Sequence, residues 1–160
     1  MFSGLFNGKD TLSKLLDFGT KAGFLSQPKF VFIPEVMILA PKICPRVHEM
    51  VTRIVVSPTA SCGFCAYAAI GATYLWQNDF GRFQREDVLD VLTKPRGEDC
   101  MDEYITDLTG FDHEEIQTHL QAAATLTIGC TEDAANHFEN CLETMFQYGM
   151  VLEMNKLGLK

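Results

Sequence analysis

Apolar residues fall at Val47, Met50, Val51, Ile54 and Val55, spaced i, i+3, i+4, i+7, i+8. That spacing predicts one buried face of an α-helix. Pro45 is suited to open this helix, because a proline in the first turn forfeits no hydrogen bond. Ser57-Pro58 is expected to end it. The next helix is apolar on every face, through Phe64, Tyr67, Ile70, Tyr74, Leu75 and Trp76. A helix of that kind belongs at the centre of a fold. Its small residues Ala66, Ala68, Ala69, Gly71 and Ala72 would let neighbouring helices approach closely. Ser61 is the expected N-cap, which would make Cys62 N1 and Cys65 N4.

The flanking chain reads as further helices. Residues 1–10 are Gly-rich with scattered Leu and Phe and are expected to form a docking arm. Asp10 or Thr11 would cap a short helix with Leu12, Leu15 and Leu16 inward, ending near Gly19 or Gly23. Lys29 to Ile33 has strand propensity but no visible partner, so an extended segment is expected between Pro28 and Pro34. Pro34 would open a short helix that Pro41 stops. Gln77 to Gly81 reads as a loop, and Gln84 to Lys94 as a helix with Val88, Leu89, Val91 and Leu92 inward. A short helix with Met101, Tyr104, Ile105 and Leu108 should end at Gly110. Asp112-His-Glu-Glu115 has the form of a capping box ahead of Ile116, Leu120, Ala123, Ala124 and Ile128, with Gly129 ending that helix. Thr131 would cap the last helix, whose core face is Ala135, Phe138, Leu142, Met145 and Phe146 and whose C′ residue is Gly149. The whole predicts an all-α, single-domain bundle of six to eight helices. Residues 1–44 hold the arm and short helices, 45–148 the core, and 149–160 a tail.

Charge narrows the function classes. The net charge is -8, which opposes nucleic acid and anionic membrane surfaces as partners. Of 21 acidic residues, only Asp10, Asp17, Glu35, Glu49 and Asp79 precede residue 80, so the C-terminal helices carry the acidic surface. No run of apolar residues is long enough to span a membrane, and no signal-peptide pattern opens the chain. Six cysteines with one close pair do not make a secreted disulfide scaffold, so a cytoplasmic, reducing setting is expected.

That close pair, Cys62 and Cys65, carries the candidate chemistry. Three residues apart on a helix is one face, so the sulfurs can meet. At a helix start the dipole favours a thiolate, which suits thiol–disulfide exchange. The alternative is two small apolar side chains in a buried helix.

The run Arg46-Val-His-Glu-Met-Val-Thr-Arg-Ile-Val-Val56, followed by Ser61-Cys-Gly-Phe-Cys-Ala66, resembles the core motif of the AhpD-like, or carboxymuconolactone decarboxylase, superfamily. Phe111-Asp-His-Glu-Glu-Ile116 and Ala135-Asn-His-Phe-Glu-Asn-Cys-Leu142 are similar to its later helix starts. The resemblance covers about residues 45–146 and implies an all-α fold and a trimeric or hexameric homo-oligomer. It also implies thiol peroxidase chemistry on Cys62 and Cys65, with a small-molecule peroxide as oxidant and a dithiol protein as electron donor. No cofactor or metal is implied. Two positions depart from the family pattern. The histidine four residues after the second cysteine is Ala69, and the upstream glutamate position is Met50. Glu49 is the neighbouring carboxylate, and His48 could stand in for the missing base. Without the relay, the same fold would serve as an oligomeric structural or binding module.

The other histidines carry less. His113 is expected to be solvated, His119 to face away from the apolar stripe, and His137 to sit in a core or interface. A zinc site lacks a second ligand pair. A papain-like nucleophile at Cys62-Gly-Phe-Cys65 lacks the following Trp and a downstream β-domain.

Overall fold

In the computed structural model, which describes residues 2–26, 33–52 and 57–156, helices follow one another along the chain. They are α1 (Phe2–Lys21), α2 (Pro34–Met37), α3 (Ala40–Thr52), α4 (Pro58–Asn78), α5 (Phe80–Arg85) and α6 (Val88–Thr93). A 3-10 turn at Glu98–Cys100 leads into α7 (Met101–Thr109), α8 (His113–Cys130) and α9 (Phe138–Lys156). No strand occurs among the described residues, and the all-α bundle is the architecture. Among those residues no helix is long and apolar enough to cross a membrane.

Helix α4 is the hub, as its all-round apolar pattern requires. It packs against α9 most extensively and also touches α2, α3, α5, α6, α7 and α8. Twelve of its residues, from Ser61 to Leu75, are buried. The small residues work as the sequence suggests. Leu92 of α6 and Ile105 of α7 close directly over Gly71. The α4–α9 crossing lies at Gly149, where an added Cβ would stand 2.2 Å from the Ala66 carbonyl oxygen. Gly149 is therefore no C′ residue: α9 runs through it to Lys156 because the crossing needs a residue without a side chain. Helix α1 packs against α8 and α9.

Several boundaries differ from the sequence reading. Residues 2–10 continue α1 rather than forming an arm. Pro41 stands in the first turn of α3, where its missing N–H costs nothing, so it begins a helix instead of stopping one. Pro45 is inside α3 on the exposed side. Asp79 alone separates α4 from α5, since its carboxylate accepts from the Arg82 amide at 3.4 Å. The expected helix over 84–94 is broken at Glu86 because Asp87 caps α6, accepting from the Asp90 amide at 3.1 Å. Gly129 lies inside α8. Thr131 does not cap α9: its hydroxyl donates back to the Thr127 carbonyl at 2.7 Å. Ala135 is exposed in the turn before α9 rather than in the core. Asp112 caps α8, accepting from the Glu115 amide at 3.0 Å, and Gly110 ends α7 at φ 83°, a left-handed conformation suited to glycine. The extended reading of residues 29–32, the positions Ile54 and Val55, and the side chains of Met50 and Val51 lie outside what is described.

Candidate functional site

The cysteine helix starts one turn earlier than Ser61 would set it. Ser57 is the N-cap, its Oγ accepting from the Ala60 amide at 3.2 Å, and Pro58 follows as N1. The Ser-Pro dipeptide thus opens α4. Cys62 becomes the fifth residue of the helix and Cys65 the eighth, beyond the first turn where the dipole acts on a charge. Ser61 is itself buried.

Both thiols are sealed. Cys62 and Cys65 are each 0 % exposed, and Cys62 is close enough to the buried thiols of Cys44 from α3 and Cys141 from α9 to feel their charge. Cys44 Sγ lies 3.9 Å from Cys65 Sγ across the α3–α4 interface. Burial pushes the Cys62 and Cys65 thiols well above their ordinary value, and neighbouring thiols add to the effect. Cys141 is raised by burial as well, and its thiol donates to the Thr131 hydroxyl at 3.4 Å. A thiol in such surroundings is neutral near pH 7 and inert as a nucleophile.

The proposed relay positions lie elsewhere. His48, half-buried on α3, sets its ring 5.5 Å from that of Phe138. Glu49 is on the exposed side of α3. Ala69 is fully buried against the core, and His137 is exposed before α9. His113 is not free in solvent: its Nε2 lies 3.2 Å from Asp102 Oδ2, joining the start of α8 to α7. Among the described residues no group of three or more His, Cys, Asp or Glu side chains could hold a metal ion.

Two buried polar side chains escaped the sequence reading. His119 is only 5 % exposed, with Phe18 and Phe24 stacked on it at 4.9 and 4.2 Å and its Nε2 2.6 Å from Tyr148 Oη. Burial pushes its pKa down to about 4, so the imidazole is neutral. The signal was present: Ile116, His119, Leu120 and Ala123 form one i, i+3, i+4, i+7 stripe. Glu153 on α9 is 0 % exposed, and neither carboxyl oxygen has a hydrogen-bond partner among the described residues. Burial pushes it up to about 7, against the opposing charge of Lys156.

A further feature is an open groove of about 440 Å³. Ile38, Leu39 and Ile43 form one wall, and Phe80, Phe83 and Val88 the other. Arg46 also lines it, reaching from α3 to Asp87 at 2.7 Å and Asp90 at 3.2 Å. Comparison with family models, curated proteins and solved structures returned no match to this chain.

Proposed function

We propose that the chain is a non-catalytic helical binding module whose contact surface is the groove between α2–α3 and α5–α6. The observation that carries this reading is the position of two side chains. Ile38 at 60 % and Phe80 at 43 % are the exposed large hydrophobics of the described chain, and they stand on facing walls of that groove. Scattered exposed apolar residues need no explanation, but a shared concave patch is the mark of a contact site. The thiol-peroxidase reading asks for an exposed thiolate with a resolving partner in reach. Cys62 and Cys65 are neutral and sealed, which favours core packing as their role. The AhpD-like resemblance fits this reading as a bundle of that kind with its relay histidine replaced by Ala69.

The test is peroxide consumption with dithiothreitol as donor. The protein is expected to add nothing to the uncatalysed rate. Cys62→Ser and Cys65→Ser should leave that rate unchanged while each lowers stability by about 1–2 kcal/mol, because a hydroxyl replaces a thiol in an apolar site. Turnover that needs both thiols would overturn the reading and restore the oxidoreductase.

A further inference from the structure

Glu153 is a carboxyl that the core packing leaves unserved. It stands one turn beyond Gly149 on the same side of α9, the side that meets α4 at Ala66. Helix α4, Pro58–Asn78, holds no Asp, Glu, Lys, Arg or His along its length. Charged groups on the other helices packed against α9 are turned elsewhere. Lys14 of α1 reaches Cys130, and Asp17 and Lys21 are exposed. Arg46 of α3 holds Asp87 and Asp90, Lys42 and Glu49 are exposed, and His48 lies by Phe138 at the other end of α9. His119 of α8 meets Tyr148, and Glu114 and Glu115 are exposed. From α7, Asp102 meets His113 and Asp107 meets Arg96. Among the described residues, the charge that acts on Glu153 is that of Lys156, three residues on along α9.

Lys156 has another acceptor. Its ammonium donates to the Thr109 carbonyl and lies 5.2 Å from the centre of the Phe111 ring. Thr109 is the last residue of α7, where the helix carbonyls carry partial negative charge, and residues 110–112 lead into α8. The amine thus ties the end of α9 to the α7–α8 turn. That arrangement suits an uncharged Glu153, because a carboxylate buried against apolar surface requires a counter-ion. We infer that Lys156 is a latch with two positions: while Glu153 is protonated it holds the α7–α8 turn, and loss of that proton to solvent draws it to the Glu153 carboxylate and frees the turn. Burial of the carboxyl sets the change near pH 7. The latch shares no residue with the groove and is independent of what binds there.

The experiment is NMR of the full chain from about pH 5.5 to about pH 8.5, a window centred on the Glu153 titration. Two signals are followed, the Glu153 side-chain carboxyl carbon and the Lys156 ε-methylene protons, which the Phe111 ring displaces upfield while the latch is on the turn. The Lys156 protons should lose that displacement as pH rises, with the same midpoint as the Glu153 carboxyl. In Glu153→Gln they should keep it at every pH. In Lys156→Met the Glu153 midpoint should rise, because the charge that opposes its protonation is gone. Lys156 protons that stay in place through the Glu153 titration, or that move alike in Glu153→Gln, would overturn the latch. So would a Glu153 carboxyl that keeps one charge state across the range, or a midpoint that Lys156→Met leaves unchanged.

Discussion

Gly149→Ala should destabilise the chain by about 3 kcal/mol or more, the upper end of what overpacking costs. The new methyl would lie 2.2 Å from the Ala66 carbonyl oxygen and 2.9 Å from the Ala66 carbonyl carbon and Cα. These are backbone atoms of the central helix, so no side-chain rotation relieves the contact. The helices must separate by about 1 Å to restore ordinary van der Waals distances. That separation loosens α4 against α9, the most extensive packing in the fold. Alanine gains at most about 1 kcal/mol in helix propensity over glycine, so the clash wins. Gly129→Ala is the control. Gly129 also lies inside a helix, but nothing stands within 4 Å of its added Cβ. That variant should be more stable by about 0.5 kcal/mol. Urea unfolding of both gives opposite signs if the crossing is where it is described. Equal, stabilising effects would remove Gly149 from the α4–α9 interface.

Glu153→Gln is expected to stabilise the protein at high pH and not at low pH. The ordinary value is 4.5, and burial raises the carboxyl to about 7 in the fold. Between these values the folded chain holds a proton that the unfolded chain has released. Stability from this group is therefore fully present below about 4.5, falls as pH rises towards 7, and stays low above it. The gap corresponds to about 3 kcal/mol. Glutamine removes the ionisation while keeping the shape. At pH 8 the variant should exceed the parent by up to about 3 kcal/mol, and near pH 4.5 the advantage should vanish. The difference between the two proteins cancels the titration of every other carboxylate. Equal differences at both pH values would mean that Glu153 ionises alike in folded and unfolded chains.

The core helix was legible because its pattern needs no context: a stretch apolar on all faces has only one place to go. Its start was not, because a Ser-Pro dipeptide serves equally to end one helix and to open the next. Which it does at Ser57 depends on whether the serine oxygen meets the Ala60 amide. That single turn decides the chemistry. With Ser61 as cap the thiols would face a helix dipole, and with Ser57 as cap they enter the core. Gly149 shows the same ambiguity, since a glycine near a helix end serves equally as a cap or as a crossing point. The α9 sequence after it, Met150 to Met154, is buried and continues the helix. His119 stands in the Ile116–Leu120–Ala123 stripe by its spacing, although the reading of the sequence set it facing away from that stripe. Phe18 and Phe24, a hundred residues away in sequence, supply the apolar faces that make burial favourable. The gathering of Cys44 and Cys141 around Cys62 and Cys65 joins three helices and has no local signature.

The central claim is that the thiol cluster is closed. It is tested most directly by the labelling rate of each cysteine in the native protein, resolved by peptide mass spectrometry against the unfolded chain. Cys100 and Cys130, partly exposed, serve as internal controls. The account predicts prompt labelling at those two and protection of Cys44, Cys62, Cys65 and Cys141, lost together only on unfolding. Rapid labelling of Cys62 or Cys65 in the folded protein would contradict it and return the pair to redox chemistry.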